Sequence, residues 1–190
     1  MRAFLAIDLP GELKKRLFLL KQEAGPGLKL KWVEEKNFHL TIKFLGDVEE
    51  KFLKKIYNEL SSRTENFQPF KLEMEEVGFF GKKAMPRVVW FGIKESKPLE
   101  ILVRELNRVF KKLGFPRERE RFHPHITLFR VRYVDDVAGF EKYYQALRKD
   151  AEKLRGVSFE VKELVLFKST LTSKGPIYEP LYKLEFSNGK

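Results

Sequence analysis

The phrase His39-Leu40-Thr41-Ile42 and its later copy His125-Ile126-Thr127-Leu128 decide how the whole chain is read. Both run histidine, apolar, threonine, apolar. The chain has 3 histidines and five threonines in 190 residues, so composition alone would place two of the three histidines in this phrase on the order of once in ten thousand such chains. Side chains alternate between the two faces of a strand. His39 therefore shares a face with Thr41, and His125 with Thr127. Leu40 and Ile42, like Ile126 and Leu128, look the other way, toward helices that would cover them.

The flanking segments repeat as well. Arg2 to Leu9 is apolar and strand-like. Pro10 suits the first turn of a helix carrying Leu13, Leu17, Leu20 and Ala24, and Gly25-Pro26-Gly27 stops it. A strand from Phe38 to Leu45 holds the first phrase. Asp47 and Glu50 form an acidic capping box opening a helix through Leu53, Ile56 and Leu60. A strand from Phe70 to Phe80 closes this half at Gly81. The second half restarts with a strand, Arg87 to Ile93. A helix from Pro98 follows, with apolar residues stepping through Leu99, Leu102, Leu106, Val109 and Leu113 to a left-handed cap at Gly114. The second phrase forms the next strand. A helix through Phe140, Tyr144, Leu147, Ala151 and Leu154 runs to Gly156, and strands span Phe159 to Phe167 and Ile177 to Phe186. Phe4 lies 35 residues before His39, and Trp90 lies 35 before His125; Phe80 follows His39 by 41 residues, and Phe167 follows His125 by 42. The expectation is one domain over 1–190 built from pseudo-repeat halves of approximately 1–81 and 87–190, crossing between Gly81 and Pro86. No Pro/Gly/Ser-rich linker separates them.

Composition bounds the function. A hydrophobic fraction of 43% with 18 phenylalanines supplies a packed interior and argues against disorder. The absence of cysteine excludes disulfides and thiolate metal sites, and suits a reducing, cytoplasmic setting. The apolar N-terminal stretch is too short for a secretory signal, and no run approaches a membrane span. A net charge of +11 favours a polyanionic partner such as nucleic acid, although a lysine- and glutamate-rich surface of the heat-adapted kind would give similar numbers.

If the halves face each other across an approximate two-fold, the polar pairs converge on one small anion. Histidine is the side chain best suited to exchange protons near neutrality. A neutral imidazole can then take a proton from an attacking oxygen while a protonated one gives its proton to the departing oxygen, the threonines donating to the phosphate. General acid–base catalysis of this kind contributes roughly 10²–10⁴-fold, and oriented donors stabilise developing charge. No metal is required. His123 lies outside the phrase, where Asn37 stands in the first half, and a zinc site built from His123 and His125 lacks a third ligand of suitable spacing. If extended, Arg117, Arg119 and Arg121 would share the face of His123 and His125; alternating with Glu118 and Glu120, they also read as a self-neutralising loop. Lys43 has the parity of Thr41 and could charge the cleft. Arg130 has the opposite parity and needs a bulge to enter it. Trp32, Phe38 and Phe129 could stack a base, with core packing as the default.

Three segments, RAFLAIDLP from Arg2, HLTIKFLGDV from His39 and HPHITLFR from His123, make the chain resemble the 2H phosphoesterase superfamily. Within it the chain is similar to the RNA 2′,3′-cyclic phosphodiesterases, historically called 2′-5′ RNA ligases. The resemblance implies an α+β, bilobal fold with two pseudosymmetric antiparallel sheets, flanked by helices, around a central cleft. It implies a cofactor-free, metal-independent hydrolysis of RNA 2′,3′-cyclic phosphate ends to 2′-phosphomonoesters, with 2′-5′ joining of tRNA halves as a related activity. His39 and His125 would be the catalytic pair, His39 protonating the 3′ oxygen and His125 activating water, and Thr41 and Thr127 would hold the phosphate. RNA, including tRNA fragments with cyclic ends, is the expected partner, and a monomer the expected state. Two alternatives stay open: a non-catalytic RNA-binding module, and a phosphodiesterase for 2′-5′ linkages.

Overall fold

A computed structural model describes residues 1–187. Nine strands and four α-helices follow one another: β1 (Arg2–Asp8), α1 (Gly11–Phe18), β2 (Leu28–Trp32), β3 (His39–Asp47), α2 (Glu50–Thr64), β4 (Phe70–Lys82), β5 (Met85–Ile93), α3 (Lys97–Lys112), β6 (His125–Val134), α4 (Val137–Ala151), β7 (Ser158–Val161), β8 (Glu163–Thr172) and β9 (Gly175–Glu185). All strand pairings are antiparallel. The order is β7-β4-β5-β6-β3-β1-β8-β9, with β2 also paired to β6. Two four-stranded runs, β7-β4-β5-β6 and β3-β1-β8-β9, meet at a single pair, Leu40 opposite Ile126. The α+β, bilobal expectation is met, with the two lobes' sheets joined at the repeated phrase.

Strand pairing does not follow the sequence halves. β4, the last strand of the first half, pairs with β5 and β7, while β8 returns to pair with β1. Each lobe is therefore completed by strands from the other half.

The sheet separates two apolar layers. Leu40, Ile42, Ile126 and Leu128 join Leu53 and Ile56 of α2, Leu102 and Leu106 of α3 and Phe140 of α4 in the main core. On the opposite, cleft face, Phe4, Ala6, Val165 and Phe167 form a small second cluster with Tyr178 against it. Leu40 and Ile126 are fully buried, so the register at the lobe junction is held by burial: a one-residue slip would turn both toward the cleft.

Several elements differ from their expected form. α1 ends at Phe18, not near Ala24, because the amides of Leu20 and Lys21 turn back to the carbonyls of Leu17 and Phe18, closing the last turn with short-range bonds. Asp47 does not cap α2. It stays in β3 opposite Arg2, its carboxylate 3.6 Å from the N-terminal ammonium, and Glu49 stands at the cap without a side-chain bond. The strand expected over Phe159 to Phe167 is two strands. Lys162 separates β7, on β4, from β8, on β1. β2 was not anticipated. The caps of the second half are as expected: Gly114 and Gly156 take positive φ, and Phe115 N–H reaches Phe110 O at 2.9 Å past the end of α3.

Candidate active site

The Leu40–Ile126 pair sets the site's geometry. In an antiparallel pair, residues opposite one another share a face. Continued by one residue each way, this register sets His39 across from Thr127 and Thr41 across from His125, on the face opposite the buried Leu40 and Ile126. All four polar side chains of the repeated phrases are thus brought together, each half-buried.

The two imidazoles are held alike. His39 Nδ1 lies 2.7 Å from the carbonyl of Asn37, and His125 Nδ1 lies 2.6 Å from the carbonyl of His123. A carbonyl only accepts, so Nδ1 carries the proton in both rings and Nε2 is the atom left for chemistry. Thr41 Oγ1 sits 2.9 Å from His39 Nε2. Asn37 is itself buried and fixed, its side-chain amide donating to Pro176 O at 3.0 Å. The β8–β9 hairpin thereby braces the carbonyl that orients His39.

Aromatic rings wall each imidazole. His39 has Phe4 at 5.0 Å and Tyr178 at 5.3 Å between centroids, with Phe167 stacked on Phe4 at 5.2 Å. His125 has Phe80 at 5.0 Å and Trp90 at 6.2 Å, with Phe80 and Trp90 at 5.3 Å from each other. Phe4, Trp90, Phe80 and Phe167 are the residues at matched spacings in the sequence. Trp90 lies over two glycines: a Cβ on Gly78 would stand 2.3 Å from its ring, and one on Gly92 would stand 3.1 Å away. His123 is exposed and packs on Trp90 at 4.7 Å and Phe80 at 5.4 Å, 5.9 Å from His125.

Burial lowers the pKa of both His39 and His125, because a half-dry pocket disfavours the imidazolium. For His39 the Asn37 carbonyl and the Asp8 carboxylate oppose this shift, while Lys14 and His125 add to it. For His125 the His123 carbonyl opposes it, and the charges of His123 and Arg130 add to it. Asp8 is the strand partner of His39. With Lys14, 2.8 Å from its carboxylate, Asp8 lines a cavity of about 130 Å³ beside His39, Asn37, Phe167 and Tyr178. The two imidazoles are alike in geometry and unlike in electrostatics.

A bulge in each motif strand revises two expectations. In β3, Ile42 and Lys43 are both buried, and the register against β1 shifts there. Lys43 consequently points into the helix layer, over the Phe110 ring and 3.1 Å from Glu118 Oε1, and does not charge the cleft. Phe44 takes the cleft face, 68% exposed. In β6, Leu128 and Phe129 are both buried and the register against β5 shifts between Val89 and Trp90. That bulge turns Arg130 to the cleft face, where its charge acts on His125 and on Tyr178 of the other lobe. Trp32, Phe38 and Phe129 are buried core residues, out of reach of a base. Arg117, Arg119 and Arg121 lie on an exposed irregular loop, not an extended strand, with Glu118 turned to Lys43. Tyr178 was not singled out from sequence, since nothing in its local pattern marks it. Among the described residues no group of three or more His, Cys, Asp or Glu converges as a metal site, and no helix is long and apolar enough to cross a membrane.

The LigT like Phosphoesterase family model matches residues 7–90 and 92–178. The RNA 2′,3′-cyclic phosphodiesterase of Methanocaldococcus jannaschii is 39% identical over 184 residues, covering 94% of this chain and 97% of that protein. The protein of the same name from Thermotoga maritima is 35% identical over 190 residues, covering 100% and 97%. Among solved structures, TT0787 of Thermus thermophilus superposes with a TM-score of 0.78 at 27% identity over 100% of both chains. E. coli LigT complexed with 3′-AMP does so with a TM-score of 0.75 at 26% identity over 98% of both. With its paired imidazoles, their aromatic walls and a family match running through both motifs, the chain belongs to the LigT-like phosphoesterases of the 2H superfamily and is a phosphodiester hydrolase.

Proposed function

We propose that the chain hydrolyses RNA 2′,3′-cyclic phosphate ends to 2′-phosphomonoesters by metal-independent, two-histidine acid–base catalysis. The observation that carries this reading is the Leu40–Ile126 register, which gathers His39, Thr41, His125 and Thr127 on one face. The names of the relatives and the 3′-AMP bound by E. coli LigT support it.

In this mechanism Thr41 and Thr127 donate to the nonbridging phosphate oxygens. His125 Nε2 takes a proton from water as its oxygen attacks phosphorus. The bond from phosphorus to the 3′ oxygen breaks, and His39 Nε2 gives its proton to that oxygen. The products are a free 3′ hydroxyl and a 2′-phosphomonoester, and the two histidines have exchanged protonation states. Asp8 beside His39 favours keeping the proton there, and Arg130 and His123 beside His125 favour losing it. This asymmetry supports His39 as acid and His125 as base. Both imidazolium forms gain stability when an anionic phosphate enters.

The test is to incubate the protein with a 2′,3′-cyclic mononucleotide and a cyclic-ended oligonucleotide in a chelator, and to identify the product isomer. A 2′-phosphomonoester is expected from both. A 3′-phosphomonoester would reverse the bond assignment. No turnover alongside tight RNA binding would favour a binding module, and turnover only of 2′-5′-linked dinucleotides would favour the third reading.

A further inference from the structure

We propose that the RNA strand leading to the reacting end leaves the cleft over one lobe only, its phosphates lying along a ridge formed by Arg130, Lys31 and Lys29 on β6 and β2. This inference rests on the cyclic-phosphate reading. A 2′,3′-cyclic phosphate is terminal, so all the remaining polymer departs through the 5′ oxygen of the bound nucleoside. It must cross the protein surface in one direction, and the two lobes offer different surfaces.

β2 makes the difference. β6 uses one edge for two partners: its first residues meet β3 at Ile126, and its later residues, from Phe129 to Val134, pair with β2. Lys31 lies opposite Arg130, and Lys29 opposite Tyr133. The neighbouring pair, Trp32 opposite Phe129, is buried in the core, so Lys31 and Arg130 face the other side. On its other edge Arg130 pairs with Val88, two residues from Trp90, which pairs with Thr127. Arg130, Lys31 and Lys29 thus continue the face that carries His125 and Thr127. All three are exposed, as is Tyr133. At about 3.3 Å per residue, the ridge reaches roughly 25 Å from His125 to Tyr133. That is a path for a strand rather than for a single nucleotide.

The cations of this ridge are free of acids. Among the described residues, no carboxylate lies within ion-pair distance of Lys29, Lys31 or Arg130, whereas Lys14, Lys36, Lys94, Arg148 and Arg155 elsewhere each have at least one. The acids that flank the two strands are otherwise engaged: Glu34, beyond β2, lies 3.7 Å from Lys36 Nζ, and at the far end the Asp136 carboxylate caps α4. On the competing path, past Phe44, Arg117, Arg119 and Arg121 make no ion pair either, but they are neither fixed on a strand nor clear of neighbouring acids. Its arginines alternate with Glu118 and Glu120 on an irregular loop, and Glu118 neutralises Lys43. Unpaired cations fixed on a strand, with Tyr133 offering a ring face among them, suit a single-stranded backbone.

The test compares wild type, the Lys29→Gln/Lys31→Gln double variant and an Arg117→Gln/Arg119→Gln/Arg121→Gln triple variant. Binding of a 3′-phosphate-ended oligonucleotide is followed by anisotropy across a salt series, and turnover is measured on a 2′,3′-cyclic mononucleotide. The double variant should bind the oligonucleotide about tenfold more weakly. Its log–log salt slope should be shallower by about 1.4, for two lost contacts at ~0.7 each on a single strand. Its kcat/KM on the mononucleotide should match wild type. Unchanged oligonucleotide affinity and slope in the double variant would overturn the proposal, as would a loss found only in the triple variant. Ridge-dependent binding by a wild type that does not turn over the cyclic mononucleotide would uphold the path and refute the chemistry instead.

Discussion

Replacing Gly78 by alanine probes how the cleft wall holds His125. Gly78 pairs with Trp90 across β4 and β5, and its backbone is not in the left-handed region, so alanine meets no conformational penalty. Its Cβ would stand 2.3 Å from Trp90 Cη2 and 2.7 Å from two neighbouring ring carbons. Carbon atoms rest about 3.5–4.0 Å apart, so the indole must move by roughly 1.2–1.7 Å. The rings packed on the indole are Phe80, His123 and His125, so its displacement is passed to them. Overpacking of this kind costs about 1–3 kcal/mol; at about 2–4 °C per kcal/mol for a domain of this size, Tm should fall by roughly 2–12 °C. A displacement of about 1 Å near reacting groups can cost on the order of 10²-fold, so kcat on a 2′,3′-cyclic mononucleotide should fall by about ten- to a hundredfold. Thermal unfolding and steady-state kinetics well below Tm read the two effects separately. Gly11→Ala, with nothing within 4 Å of the new Cβ, is the control and should change neither. A Gly78→Ala protein with lowered Tm and wild-type kcat would refute the claim that Trp90 positions His125.

Four further outcomes follow from the same geometry. His39→Ala and His125→Ala should each reduce turnover by about 10²–10⁴-fold with unfolding transitions close to wild type; a variant keeping most of its activity would exclude the two-histidine mechanism. Both imidazoles lie below the ordinary 6.5 in the free protein, so kcat/KM should trace a bell whose alkaline fall begins below that pH as the acid loses its proton; a profile still rising above pH 7 would contradict it. The same shifts make the unfolded chain the stronger proton binder below 6.5, so stability should be full above that pH and decline as pH drops through the lowered folded values, as denaturant midpoints at pH 5 and 7 would register. Lys43→Met should leave kcat/KM unchanged and stability within about 1 kcal/mol, since the lysine side chain is 4% exposed in the helix layer while its partner Glu118 stays in water; a tenfold loss of activity would place Lys43 in the cleft after all.

The site was legible where chemistry and periodicity coincide. A period of two assigned the faces of His39, Thr41, His125 and Thr127; Phe4, Trp90, Phe80 and Phe167 marked only the repeat, and their place as the rings around the imidazoles came from the structure. The same period misplaced what came after. It assigned Lys43 to the cleft and Arg130 away from it, because a bulge inserts one residue and exchanges the faces beyond. Nothing in Ile42-Lys43 or Leu128-Phe129 announces a bulge; the register against β1 and β5 produces it. β2 escaped notice for a related reason: Leu28-Lys29-Leu30-Lys31 is too short and too charged to read as a strand until β6 offers an edge. The division at Lys162 is likewise tertiary, since a continuous apolar run cannot show that its two ends belong to different lobes. Tyr178, which packs on His39, and Pro176, which fixes Asn37, both belong to a hairpin that meets Asn37 across 139 residues, a distance that local pattern does not bridge.

The exchange of β4 and β8 between lobes bears on how the protein is made. The strand that supports His39 through Phe167 arises near the end of the chain, and the hairpin bracing Asn37 arises later still. While the polypeptide is emerging from a ribosome at about 5–20 residues per second, its first half can draft helices and hairpins but has no completed pocket. The site is therefore unfinished until β8 and β9 have emerged, and neither half, cut away from the other, retains a finished sheet on which to keep its histidine.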